Sequence, residues 1–185
     1  MTTFQQLESQ EVVLRPMRDE QSDYERMGRW LSDERVLAFY GGRDHRMDAA
    51  GARKKYRPRT TGEESVNPCI IERFGEAVGY LQYYRVEDFA EYGLDDVDVD
   101  TWGVDLFVGE PRLWSTGLGS SALRLIVEHL FEECDAERIV IDPHVDNRRA
   151  IRAYEKCGFE KVKVLKDHEQ HDGQWRDAWL MELRR

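Results

Sequence analysis

Cysteine is scarce in this 185-residue chain: only Cys69, Cys134 and Cys157, odd in number and scattered. No C-x-x-C pair occurs, which argues against a disulfide framework or a zinc site. Long apolar runs are missing as well; none approaches the ~18–20 residues that span a bilayer. The opening MTTFQQLESQEVVL lacks a basic-then-apolar leader. These absences lead to the expectation of a cytoplasmic protein. Positive charge is also in short supply, with 27 Lys and Arg against 37 Asp and Glu, a net charge of −10. Such a chain is a poor match for nucleic acid, whose phosphates need Lys and Arg clusters. It is equally ill suited to an anionic membrane surface. It is suited to attracting something cationic.

What is present is ordinary globular material. The hydrophobic fraction is 41%, with 14 glycines besides, enough to exclude disorder as the overall state. The length fits one domain, taken as 1–185, with one sizeable core. Hydrophobic patterning predicts a strand over Glu11–Pro16 and an amphipathic helix over Ser22–Leu31, with Ser22 as N-cap. A short helix follows over Asp48–Tyr56, then a polar loop over Pro58–Pro68. Cys69–Phe74 and Ala77–Val86 read as a hairpin around Gly75–Glu76. Thr101–Gly109 is a strand, Ser120–Glu133 a helix and Arg138–Asp142 a strand. Asn147–Cys157 is a helix capped by Asn147 and closed by Gly158. Lys161–Leu165 and Trp175–Leu183 make a last strand pair. The mixture predicts an α/β (α+β) fold with a mixed central sheet flanked by helices.

Two segments stand out for chemistry. In the first, the strand VDLFV runs into Gly109-Glu-Pro-Arg-Leu-Trp-Ser-Thr-Gly117-Leu-Gly119 and then a helix. A glycine turn at a helix start exposes unpaired amides to an anion. A plain structural turn is the competing reading. The segment is neither a dinucleotide fingerprint, since Ala122 stands where a third glycine belongs, nor a P-loop, since no G-K-[ST] follows. The second segment is Asp142-Pro-His-Val-Asp-Asn147-Arg-Arg-Ala150-Ile-Arg-Ala-Tyr154-Glu-Lys-Cys-Gly158-Phe159, of the form N-x-x-A-x-x-x-Y-x-x-x-G-F.

Together the two segments resemble the GNAT superfamily of N-acetyltransferases. The blocks LSDERVLAFYGGRD, GVDLFVGEPRLWSTGLG and IDPHVDNRRAIRAYEKCGF further resemble the aminoglycoside 6′-N-acetyltransferases. They are most similar to the acetyltransferase half of a bifunctional acetyltransferase–phosphotransferase, whose second half is not expected here. The resemblance implies a sheet whose middle strands splay apart and hold acetyl-CoA in the gap. It implies cofactor contacts from Phe107, Val108, Trp114, Ser115, Thr116, Gly117, Leu118, Gly119, Ser120, Asn147, Ala150 and Tyr154. The superfamily usually carries Gln or Arg where this chain has Trp114. The implied partner is a small polycationic aminoglycoside, and the implied state a monomer or homodimer.

The family reaction is direct attack of an amine on the thioester. It needs an uncharged amine, a polarised carbonyl, a protonated leaving thiolate and alignment. Resemblance makes Asp105 the catalytic aspartate that holds the ammonium and takes its proton. It places Tyr154 where it can protonate the thiolate, although a packed helical aromatic would look the same. Amides at Phe107–Val108 can face the thioester carbonyl. Asp142 becomes a substrate-ammonium contact, or else a turn aspartate.

The run Glu87–Asp100 has seven acidic residues in fourteen and no basic one. It is either a solvated loop or a wall that collects cations. On the second reading Asp95, Asp96, Asp98 and Asp100 bind substrate, and Tyr40, Tyr83, Tyr84 and Trp102 offer aromatic surfaces. Neutralising the four aspartates would then raise KM for a polycation. His168 and His171 are expected in a loop, not as a metal pair. No metal is expected, and no nucleophilic cysteine. The competing functions are acetylation of another amine, such as a siderophore precursor, a polyamine or a protein N-terminus, and a non-catalytic acyl-CoA-binding module.

Overall fold

A computed structural model describes residues 6–185. Among these residues eight strands form one sheet: β1 (Leu7–Glu8), β2 (Val12–Pro16), β3 (Val66–Arg73), β4 (Glu76–Arg85), β5 (Thr101–Val108), β6 (Arg138–Ile141), β7 (Glu160–His171) and β8 (Gln174–Arg184). Their spatial order is β1-β2-β3-β4-β5-β6-β8-β7. Every neighbouring pair is antiparallel except β5 with β6. That parallel pair is short. Thr101, Trp102 and Gly103 oppose Arg138, Ile139 and Val140, and beyond them the strands share no further pairing.

Helices α1 (Gln21–Trp30), α2 (Glu34–Leu37) and α3 (Ala49–Thr60) pack on one face, and α4 (Leu118–Glu132) and α5 (Arg148–Glu155) on the other. Strand alternation divides the core between them. Val104 and Ile139 join the α4–α5 core with Leu123, Ile126 and Phe159. Phe107, Tyr80 and Ile70 join the α1–α3 core with Tyr24, Met27 and Trp30. On the α1–α3 side, Phe89, Tyr92 and Leu94 fasten the acidic loop over Val140, Leu165 and Leu180.

Several expectations shift. Ser22 does not cap α1: Glu20 occupies the N-cap, with no side-chain cap bond. The expected loop over Pro58–Pro68 is partly ordered, with α3 running to Thr60 and including Pro58. A proline in the last turn forfeits one backbone bond with little of the helix left to disrupt, and the Thr60 and Thr61 hydroxyls donate to the Arg57 carbonyl at 2.9 Å each. Pro68 lies within β3, where its carbonyl accepts from Met17 N just past the end of β2. The hairpin turns at Phe74–Gly75, both at positive φ, one residue before the expected place. β7 is far longer than its patterning shows, while β8 exceeds the expected Trp175–Leu183 by one residue at each end. Two register irregularities in β7, at Lys161/Lys163 and Leu165/Glu169, disrupt the alternation that marks a strand. His168 and His171 are therefore strand residues, not loop residues.

The acidic run is divided in its use. Asp96 Oδ1 accepts from the fully buried Arg138 guanidinium at 2.6 Å, and its Oδ2 from Arg184 at 3.2 Å. Asp100 pairs with Arg85 at 2.9 Å. Both gather at the start of β5, about 13 Å of strand from Asp105. Arg138 holds the Asp96 carboxyl down at about 2. Asp95 and Asp98 remain exposed. Asp96→Asn removes the countercharge of the buried Arg138 guanidinium, which keeps its bonds to Thr101 Oγ1 and the Asp96 carbonyl, and should cost about 1–3 kcal/mol of stability. The stabilisation is present above the ordinary carboxylate range and is lost as pH falls towards 2. Urea denaturation checks both, and an unchanged midpoint contradicts the pairing.

Candidate active site

Where β5 and β6 part, a cavity of about 410 Å³ opens. Of the twelve expected cofactor residues, all but Thr116 border it. Thr116 instead turns its hydroxyl to the Leu113 carbonyl at 2.7 Å. The floor is Leu106, Phe107 and Val108 of β5, and one wall is Asn147, Ala150 and Tyr154 from α5 and its N-terminus. Gly117 opens α4 at φ 91°, with no side-chain cap on the helix N-terminus. The left-handed conformation suits glycine, and it leaves first-turn N–H groups available to an anion. Asn147 caps α5 through a 3.2 Å bond from Ala150 N.

Trp114 is anchored from behind, its indole N–H donating to the Val108 carbonyl at 2.8 Å. The Arg149 guanidinium lies over its ring at 3.8 Å and over Phe39 at 5.6 Å. Burial lowers the Arg149 pKa from its usual range. Arg35, Arg149, Arg152 and Lys156 all border the cavity. An acidic protein thus presents a basic rim here. Sequence reasoning missed these residues, although three of the four recur at helical spacing through NRRAIRAYEK.

Asp105 occupies the opposite face of the sheet from the α4–α5 core, in register with Gln82 on β4. Gln82 Nε2 donates to Asp105 Oδ2 at 2.7 Å. The Gln82 carbonyl oxygen in turn accepts from Arg59 at 2.6 Å and from the Tyr80 hydroxyl at 2.8 Å. This fixes the amide's orientation, so that only its N–H faces Asp105. Burial first, and the negative charge of Asp142 second, push the Asp105 carboxyl up to about 7. Gly103 leaves space for the Tyr84 ring, which a β-carbon would meet at 2.5 Å. The Tyr84 hydroxyl reaches that of Tyr92 at 2.8 Å.

Asp142 follows the last residue of β6 and is bonded to His168 Nε2 at 2.7 Å. That bond raises the His168 pKa. Sequence reasoning did not mark His168 as a site residue, because the irregularities of β7 that bring it to Asp142 leave no pattern in the sequence.

Tyr154 borders the cavity from the α5 side and is 8% exposed. Burial raises its pKa well above the ordinary tyrosine value, so the phenol keeps its proton. Tyr40 borders the cavity against Phe107, ring centroids 4.6 Å apart. Tyr83 and Trp102 are placed otherwise than expected. Both belong to the α4–α5 core, with their rings 6.0 Å apart. Strand alternation turns them away from the face that holds Asp105.

Residues 19–166 match the family model described as an acetyltransferase (GNAT) domain. The aminoglycoside N(6′)-acetyltransferase type 1 of Klebsiella pneumoniae is 32% identical over 151 residues, 81% of this chain and 74% of that one. The crystal structure of aminoglycoside acetyltransferase AAC(6′)-Ib with coenzyme A and kanamycin superposes with a TM-score of 0.75 at 29% identity, covering 94% of this chain and 95% of the other. A complex of the same enzyme with ribostamycin and coenzyme A gives the same score over 94% and 93%. The parted parallel strands, the glycine turn at α4 and a family match over most of the length have one reading: the chain belongs to the GNAT family of acetyltransferases.

Proposed function

We propose that the chain transfers the acetyl group of acetyl-CoA to the 6′-amine of aminoglycosides. One observation supports this above the rest. Asp105 lies close enough to Asp142 for that charge to raise its carboxyl, and where β5 and β6 part a cavity with a basic rim opens. One side suits an ammonium-bearing acceptor and the other a phosphate-bearing donor. The relatives' names point to the same acceptor class.

Acetyl-CoA supplies the activated thioester. The residues present fit it: an uncapped α4 N-terminus and the cations Arg149, Arg152 and Lys156 suit its phosphates. Phe107 and Val108 lie on the part of β5 that has no β6 partner. The Val108 carbonyl is taken by the Trp114 indole, so the Val108 N–H is the group proposed to hold the thioester carbonyl. Asp105 holds the acceptor's ammonium and takes its proton. A carboxyl near 7 is a far better base at neutral pH than one near 4. Gln82 keeps the accepting oxygen in place. Tyr154, protonated, gives its proton to the departing thiolate. Asp142, steadied by His168, and Tyr40 flank the acceptor; Asp95 and Asp98 strengthen the local negative field.

Mixing protein, acetyl-CoA and kanamycin should release free thiol, which a chromogenic disulfide measures. Asp105→Asn should lower kcat/KM by about 10²–10⁴-fold. No release from kanamycin, tobramycin or ribostamycin by folded protein overturns the proposal, and release with spermidine alone reassigns the acceptor.

The pH profile is a second test. Asp105 accepts a proton only when ionised, so kcat/KM should fall about tenfold per unit below about pH 7. Asp142→Asn removes a negative neighbour and should move the inflection to lower pH. Gln82→Ala removes a donor to the carboxylate and should move it to higher pH, because that bond lowers the Asp105 pKa. Shifts in the same direction for both variants contradict the assignment.

A further inference from the structure

We propose that His144, Glu169 and His171 form a binding site for one divalent transition-metal ion of the zinc class. His144 lies between β6 and α5, where it bridges to Ala178 on β8. Glu169 and His171 lie two apart on β7 and so share one face of that strand. His168, also on β7, is instead bonded to Asp142.

The feature that points to a ligand is His171. It is 2% exposed, and neither ring nitrogen has a hydrogen-bond partner among the described residues. Buried imidazole nitrogens are rarely left so. The His144 ring stands edge-on to it, centroids 4.6 Å apart at 77°. His144 Nε2 lies 2.8 Å from Glu169 Oε2. One donor atom from each of the three residues lies within 4.8 Å of the other two. Tetrahedral coordination with bonds of about 2.0–2.2 Å puts donor atoms about 3.3–3.5 Å apart, so modest side-chain movement closes the site.

The donor set selects the metal. Two imidazoles and one carboxylate suit zinc and its neighbours, whereas calcium and magnesium require oxygen ligands. Three protein ligands leave a fourth position open. His144 and His171 both border a second cavity of about 480 Å³, which gives an ion an entry path and a water its place. Asp146 and Asp172 border the same cavity and offset Arg43 and Arg176. An ion seated here ties β7 to the segment that follows Asp142.

The test uses the full chain, freed of any purification tag and stripped with a chelator. Zinc chloride is titrated against a competing chelator, and cobalt(II) chloride is followed in the visible spectrum. One zinc per chain is expected, with cobalt bands of a four- or five-coordinate site. Glu169→Gln and His144→Gln should each weaken zinc binding at least tenfold, and His45→Gln, at an exposed histidine outside the cluster, should leave it unchanged. Glu169 is itself exposed, so its variant does not put folding at risk, and circular dichroism verifies this. Failure to bind a stoichiometric zinc ion overturns the proposal. So does binding that survives both Glu169→Gln and His144→Gln with equal affinity.

Discussion

The parting of β5 from β6 after three residue pairs is the constraint on which the rest of this molecule depends. Parallel strands normally continue their ladder until a turn, because unpaired buried backbone is costly. Here the ladder stops at Gly103 and Val140 while β5 continues to Val108. The exposed edge of β5 forms the floor of a cavity. Its two faces deliver different chemistry to one place. Phe107 packs among the α1–α3 side chains with Asp105 beside it on the same face, while Leu106 and Val108 turn to α4 and α5. On the proposed reading, the gap in the sheet brings the coenzyme's cavity to the side of the strand that carries Asp105.

Charge is arranged around that gap by short local means. The net charge of −10 is not spread evenly: Arg35, Arg149, Arg152 and Lys156 border the cavity, while Asp105 and Asp142 lie near one another. Burial and the neighbouring Asp142 act together on Asp105. The Arg59–Gln82 and Tyr80–Gln82 bonds decide which end of the Gln82 amide faces it. Arg138 and Arg85 withdraw Asp96 and Asp100 from the acidic run and use them to close the start of β5. The run is thus partly a structural clasp and partly a field.

Most elements were legible because their signals are local. The stripe of Leu123, Ile126 and Leu130 marks α4, and Asn147 with Gly158 brackets α5. Asp105, Tyr154 and the glycine turn were legible through family-like motifs. What escaped depends on register between distant segments. Gln82 matters because it lies opposite Asp105 across β4 and β5. His168 matters because β7 is irregular between Leu165 and Glu169. Tyr83 and Trp102 face the α4–α5 core for a related reason: one step along a strand reverses the face. The basic residues Arg149, Arg152 and Lys156 carry a readable helical spacing.

The central claim is that Asp105 and Tyr154 meet the reactants from opposite faces of one gap. A crystal structure of this chain with coenzyme A and kanamycin tests it most directly. The account predicts the acceptor's 6′-nitrogen about 3 Å from the Asp105 carboxylate and the coenzyme sulfur facing the Tyr154 hydroxyl. An acceptor held instead on Asp95 and Asp98, with its amino groups away from Asp105, would contradict it.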